Sequence, residues 1–358
     1  MKIMKILKLG LQLFANHVNV TTDTAATSGN ELSPEMKTFY DMTLIDMASA
    51  NLVHDQFGQK RPIPKNGGKT IEFRKFAPLA KATTPLTEGV TPDGSVLNVS
   101  AITATVAQYG DYVTQSDVLE LTALDNTILE ATKLLGRQAG LTLDTITRNV
   151  LQASTNVSYA SKWSGTTETE VTSRAALDNT ATLKVDTVNQ VVAKLRSINA
   201  PTINGDYVAI IHPYVAYDLM RDPEWIDSHK YATPDNLYAG EIGKIGGVRF
   251  VQSSEALIIR DTTCPKIDAS GDASAASNRY AVFSTLIFGE GAYGVTEVTG
   301  GGLQTIVKQK GSAGTADPLD QRSSVGWKAM KTAELLIPDY LVRVESVSPR
   351  FSATANAN

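Results

Sequence analysis

The chain has 358 residues, 42% of them hydrophobic and 20% charged, enough apolar material for a large core, which excludes global disorder. With 37 acidic against 33 basic residues its formal charge is −4, the wrong sign for a protein that coats nucleic acid through its phosphates. One cysteine, Cys264, excludes an internal disulfide, and His17, His54, His212 and His229 are scattered without metal-ligand spacing. At roughly 150 residues per domain, the length corresponds to about two domains.

The N-terminus carries Lys2, Lys5 and Lys8 ahead of an apolar stretch from Leu9 to Phe14. That stretch is shorter than the apolar region of a signal peptide and far shorter than a membrane span. It reads as a short amphipathic arm that docks on another surface. Residues 16–30 are polar and aperiodic and extend the arm as a flexible segment. Ser33-Pro34-Glu35 then has the order of a helix start, with a cap, a proline and a first-turn acid. Met36, Phe39, Tyr40, Met42, Met47 and Leu52 keep the helix apolar.

From Gly67 the period changes to two. Ile71 and Phe73 share one face of a strand from Lys69 to Phe76, and Ile102, Ala104 and Val106 share one face of a second, Ala101 to Val113. The stretch between them contains Pro78, Pro85, Gly89 and the turn Thr91-Pro92-Asp93-Gly94, and has too few large apolar residues to build a core. If the strands pair, it becomes a hairpin reaching roughly 40 Å, at about 3.3 Å per residue over half its length. A lone ribbon of that kind is marginal in water and needs a partner surface.

The strongest helix runs from Asp125 to Ala153, where Ile128, Ala131, Leu135, Ala139, Leu143, Ile146 and Val150 form one stripe, weakened at Gly136 and Gly140. Residues 154–185 are rich in Ser and Thr and read as an insertion or surface loop. Asp186 caps an amphipathic helix with Val188, Val191, Val192, Leu195 and Ile198 on its apolar side. Tyr207 to Ile211 is a short strand ended by His212-Pro213, with a short helix to Met220. Further strands are expected at Val248–Val251, Tyr280–Phe288 and Leu303–Lys308, with a long one from Gly326 to Ser346 broken at Pro338. The last eight residues, 351–358, are expected to be a solvated tail.

Gly289-Glu290-Gly291-Ala292-Tyr293-Gly294 matches the G-x-G-x-x-G pattern of dinucleotide sites, but that chemistry needs a helix next, to bring N–H groups to a pyrophosphate. Here the β-favouring Val295-Thr296-Glu297-Val298-Thr299 follows, so a turn between strands is the better reading and no cofactor is expected. There is no G-x-S-x-G elbow, Walker loop or H-E-x-x-H. Cys264, within Thr262-Thr263-Cys264-Pro265, reads as a buried or incidental thiol rather than a nucleophile. Asp218, Asp222 and Glu224 read as solvated carboxylates, and the dilute basic cluster Lys60, Arg61, Lys65 and Lys69 as a solvated loop. No catalytic, cofactor or metal residues are assigned, and no enzyme activity is expected.

The architecture left by these exclusions is an arm, a hairpin, a long helix and a second domain. It resembles the major capsid proteins of tailed bacteriophages with the Hong Kong 97-type fold. The resemblance is carried by Pro85-Leu86-Thr87-Glu88-Gly89-Val90-Thr91-Pro92, then Gln108-Tyr109-Gly110-Asp111-Tyr112-Val113-Thr114-Gln115-Ser116-Asp117, the long helix, and Gly326-Trp327-Lys328-Ala329. Leu9-Gly10-Leu11-Gln12-Leu13-Phe14-Ala15 is also similar to coat-protein openings in phages of Gram-positive bacteria.

The resemblance implies an α+β, Hong Kong 97-like capsid fold. Residues 1–33 would be the N-arm, 34–66 an N-terminal helix and connection, and 67–113 the extended E-loop hairpin. The P domain with its spine helix would take 114–153, and the A domain 186–321. Residues 322–350 would return to the P domain ahead of the tail. Arg74, Lys81, Leu86, Glu88, Val90 and Asp93 would make contacts between subunits. The implied product is a self-assembled icosahedral phage head of hexamers and pentamers, enclosing double-stranded DNA without sequence-specific binding. Portal, scaffold or decoration proteins would be partners, no membrane is implied, and the place would be the virion, after assembly in the host cytoplasm. An encapsulin-type bacterial nanocompartment shell shares the fold and is the first alternative; an α/β enzyme of unknown chemistry is the second. No motif for covalent crosslinking is visible.

Overall fold

A computed structural model describes residues 18–19, 53–76, 79–91, 93–122, 127–165, 167–229, 241–268, 278–299, 301–312 and 317–358. Apart from Val18–Asn19, the expected N-arm and the helix expected after Ser33 lie outside the described residues.

In chain order the elements are β1 (Val18–Asn19), β2 (Gln59–Lys60), β3 (Thr70–Phe76), β4 (Val99–Thr105), β5 (Ala107–Ser116), α1 (Asp117–Thr122), α2 (Thr127–Gln152), β6 (Val157–Tyr159), β7 (Lys162–Ser164) and β8 (Thr167–Thr169). They continue with α3 (Val185–Ser197), β9 (Tyr207–Ile211), α4 (Pro213–Met220), α5 (Pro223–His229), β10 (Glu241–Ile245), β11 (Val248–Gln252), β12 (Ile258–Ile259), β13 (Val282–Phe288), β14 (Tyr293–Glu297), β15 (Gln304–Lys308), β16 (Arg322–Leu335) and β17 (Leu341–Val347). One compact unit holds Gly110–Ala139 and Leu303–Lys328; the other holds Ala48–Tyr109, Gly140–Gly302 and Ala329–Asn358. Both α2 and β16 run through the two.

In the first unit β5 and β15 neighbour β16, β15 pairing antiparallel as Gln304–Lys308 against Lys328–Ser324, while β1 adds parallel to Thr114–Gln115 of β5. The backbones come close because Gly110 and Gly326 carry no side chain. A Cβ at 110 would lie 2.6 Å from the Trp327 carbonyl oxygen, and one at 326 would lie 2.7 Å from Tyr112 Cβ. Gln138 of α2 ties the strands together: it accepts from Trp327 Nε1 at 3.3 Å and donates to Asp111 Oδ2 at 2.7 Å.

The second unit is built on a seven-stranded mixed sheet in the order β10-β11-β9-β13-β17-β6, with β12 also paired to β13. Strands β9 and β13 are continuous apolar or hydroxyl-bearing runs, buried at every position, as expected of strands covered on both faces. Phe283 and Ile287 of β13 pack with Val188, Val191, Val192 and Leu195 of α3 on one face, and Leu286 and Phe288 pack with Leu151 and Tyr293 on the other.

Several sequence expectations need correction. The strand expected from Ala101 to Val113 is two strands, broken at buried Val106, whose N–H donates to Lys69 O at 2.8 Å. The break lets β4 pair with β3 while β5 joins a different sheet. Residues 154–185 are not simply a surface loop: β6 pairs with Arg343–Glu345 of β17, and Val171, Leu177 and Ala181 pack with Cys264, Val282 and Val347. Asp186 does not cap α3; it lies in the first turn, and Asp222 Oδ2 accepts from Val185 N at 2.9 Å instead. Ile198 is 41% exposed, beyond the end of that helix. The final residues are docked rather than solvated. Phe351 stacks on Tyr214 at 4.1 Å, Arg260 donates to the carbonyls of Ala353 and Ala355, and Asn358 Oδ1 accepts from Ile258 N.

Candidate assembly surface

Strands β3 and β4 pair in register from Thr70↔Thr105 to Phe76↔Val99 as a two-stranded sheet of their own. Phe73 faces Ile102 and Ile71 faces Ala104, so alternation puts the apolar residues of both strands on one face, where Phe73 and Ala104 pack with Leu336. Gly294 of β14 makes room: a Cβ there would lie 3.0 Å from Phe73 Cζ and 3.3 Å from Leu336 Cδ1. That small cluster anchors the base of the hairpin.

Every described residue from 79 to 101 is exposed, including Leu79, Leu86, Val90, Val96 and Leu97, with Leu86 and Val96 both at 78%. Thr87 O accepts from Val90 N at 3.2 Å across a turn in which Gly89 has φ +77°, a left-handed conformation open to glycine. The segment thus presents several large apolar side chains to solvent among polar ones.

Of the six residues expected to make contacts, Lys81, Leu86, Glu88, Val90 and Asp93 lie on this exposed segment, with Leu86, Glu88 and Val90 gathered around the Thr87–Val90 turn. Arg74 stands apart. It sits on β3 opposite Ala101, and its Nε donates to Glu72 Oε1 at 2.9 Å. A second exposed apolar set escaped the sequence reading: Leu303 (52% exposed), Ile306 (37%) and Val307 (55%) on and beside β15, all of whose side chains are exposed. The available signal was a strand that reads Leu-Gln-Thr-Ile-Val with no separate polar side.

The interior carries polar chemistry of a structural kind. On α2 the expected apolar stripe holds at Leu135 and Ala139, but further along the buried positions are Asp144, Thr147, Arg148, Leu151 and Gln152. Asp144 accepts from His54 N at 2.9 Å and lies 2.7 Å from His54 Nδ1, while Tyr293 Oη donates to His54 O at 2.5 Å. Asp55 joins Thr147 to Lys331. Burial pushes the Tyr293 phenol well above its ordinary range. Glu345, wholly buried, accepts from both Arg174 Nη2 and Nε at 2.6 and 2.7 Å, a bidentate pair that raises the Arg174 pKa.

The former candidates for chemistry resolve into packing. The Gly289–Gly294 run is the turn from β13 to β14, with Gly291 at φ +73° and a strand following. Cys264 is buried, its thiol pKa raised by burial, with Sγ 3.3 Å from Ile259 O. Asp218 and Asp222 are not free solvated carboxylates: burial raises the pKa of Asp218, and Asp222 caps α3.

The model of the phage capsid protein family matches residues 4–313 of the chain. No curated protein matches. Among solved structures, the capsid of cyanophage P-SCSP1u is 16% identical with a TM-score of 0.62, covering 87% of this chain and 93% of that one. The capsid of Ralstonia phage GP4 is 14% identical with a TM-score of 0.63, covering 84% and 89%. A structure from Mycobacterium phage Che8 is 14% identical with a TM-score of 0.52, covering 88% and 98%. At these identities the likeness is one of fold, and it is the α+β capsid fold expected from the sequence.

Proposed function

The chain belongs to the phage capsid protein family and is a major capsid protein rather than an enzyme, and from that premise we propose that its copies close into hexamers and pentamers of an icosahedral head enclosing double-stranded DNA. The observation that carries this reading is the irregular segment that links β3 to β4, in which every described residue from 79 to 101 is exposed, several large apolar ones included. A partner must cover it, and repeated copies of one chain supply that partner through head-to-tail contacts that close into rings. Each contact is modest; a closed shell sums many, so a subunit held at several places leaves slowly.

Within this reading residues 1–33 are the N-arm and 67–113 the E-loop. The P domain takes 114–153 with the return at 322–350, and the A domain takes 186–321. Lys81, Leu86, Glu88, Val90 and Asp93 meet the neighbouring subunit, with Arg74 at the ribbon's base. The formal charge of −4 suits a container that must release its DNA. The location is the virion, following assembly in the host cytoplasm with portal, scaffold or decoration proteins.

Electron microscopy of the expressed chain tests the proposal. Polyhedra or ring-shaped capsomers are expected, and removal of residues 80–97 should leave a folded, soluble chain that makes neither. Unimpaired shells from that deletion would refute the role of the ribbon. Native particles holding protein cargo instead of double-stranded DNA would favour the nanocompartment shell.

A further inference from the structure

Strand β15 carries a second, independent assembly feature. Among the described residues β16 is its one neighbour in the sheet, which makes Gln304–Lys308 an edge strand. All five of its side chains are exposed, so neither face is packed on a core. Leu303 and Val307 lie on one face and Ile306 on the other, and from Leu303 to Val307 there is no charge and no proline. Natural edge strands are normally blunted by a charge, a proline or a bulge, because a bare edge templates pairing with another chain. This one has Lys308 at its end and nothing before it.

We propose that β15 pairs antiparallel with β15 of a second copy, about a two-fold axis through Ile306. This rests on the shell reading above and adds to it an isologous contact, distinct from the head-to-tail contacts that close rings. The strand is complementary to itself in that register. Ile306 faces Ile306, Thr305 faces Val307, and Gln304 faces Lys308. The two β-branched pairs suit cross-strand packing, and each lysine meets an amide, so no like charges are opposed. A shift that set Val307 against itself would leave Gln304 beyond the partner's Lys308, facing Lys310. A shift that set Lys308 against itself would place like charges together. The ladder geometry accepts the Ile306 register whether the central pair is hydrogen-bonded or not.

The register makes a covalent test available. Facing residues in an antiparallel pair have Cα atoms about 4.5 to 5.5 Å apart, within the range a disulfide spans. Cys264, the chain's one native cysteine, is buried and leaves the background clear. Full-length I306C, oxidised mildly after assembly, should shift from the 38.4 kDa chain to a band of twice that mass on a non-reducing gel. T305C alone should stay at the single-chain mass, and T305C/V307C should shift. These changes lie on an exposed strand, and each variant's particles are imaged before oxidation.

Shells in which I306C remains single would overturn the strand pairing while leaving the shell reading intact. Crosslinked dimers in a preparation that never forms capsomers would uphold the pairing and overturn the shell reading. An absence of both would overturn both. A shift by T305C alone would overturn the register centred on Ile306, and crosslinking of I306C only when L86C is present would give the edge to the neighbouring ribbon instead.

Discussion

Asp144 holds His54 at two points, the backbone N–H at 2.9 Å and ring Nδ1 at 2.7 Å, with both side chains at most 1% exposed. This contact joins the segment leading into the first hairpin to the middle of α2, across 90 positions of sequence. Asp144→Ala would leave two buried groups of His54 without an acceptor, at about 1–3 kcal/mol each. Urea unfolding of the unassembled chain should show a loss of about 3 kcal/mol, with Asp144→Asn losing less because it retains an acceptor oxygen. A loss below about 0.5 kcal/mol, the range of an ordinary surface change, would contradict the buried contact.

Gly294 and Phe73 are paired by space. Gly294→Ala puts a methyl group 3.0 Å from Phe73 Cζ and should cost about 1–3 kcal/mol. Phe73→Leu should recover part of that loss in the double variant, although alone it destabilises. Additive losses, measured as a double-mutant cycle, would show that the added methyl group and the Phe73 ring do not meet. The same variants should raise hydrogen exchange in β3 and β4 more than in β13.

His212 supplies an acid limit. Its Nδ1 accepts from Tyr214 N at 3.2 Å at the start of α4, and burial lowers its pKa from 6.5 to about 4. The unfolded chain therefore binds the proton more readily than the folded one. Stability is full above about pH 6.5, falls as the pH drops towards 4, and levels off below. The loss over that window is at most about 3 kcal/mol. His212→Asn, which keeps a capping acceptor, should flatten this part of the profile; an unchanged pH slope would show that His212 does not titrate in it.

Arg174 reaches Glu345 from the segment that reads as a loop. Glu345 is fully buried, and Arg343 Nη2 lies 3.2 Å from the same carboxylate. Removing one partner of a buried pair costs about 3–5 kcal/mol. Arg174→Ala should lower the melting temperature clearly, and Arg174→Lys should recover only part because a lysine has no bidentate fork. A melting temperature unchanged by Arg174→Ala would mean that the segment is dispensable to the core.

Regular apolar spacing made much of this legible. The strand Tyr207–Ile211 was read with its observed bounds, and the long helix expected from Asp125 to Ala153 is Thr127–Gln152, because long periodic runs outweigh local exceptions. Residues 154–185 were opaque for the opposite reason. Val171, Leu177 and Ala181 are spaced without period, and each is buried by strands distant in sequence. The polar interior of α2 was hidden in the same way: Asp144 and Arg148 look solvated until their partners His54, Glu255 and Asn358 come into place. The exposed segment between β3 and β4 declares itself in the sequence by having no core to build. The edge at β15 does not, since five β-favouring residues look alike whether covered or bare.

Lys81 is the sole basic residue between Lys75 and Lys133, and it stands fully in the open on the ribbon. Trypsin therefore has one address in that whole stretch. A lone subunit should be cut after Lys81 within a short digestion, whereas a subunit whose exposed segment lies under a neighbour should keep that bond intact, whatever happens at the exposed Lys60, Lys65, Lys69 and Lys308. The chain thus carries its own timestamp: the fraction of Lys81–Ala82 bonds still intact after a fixed exposure, read by peptide mass, reports the copies already enrolled in a shell, without a microscope and without a label.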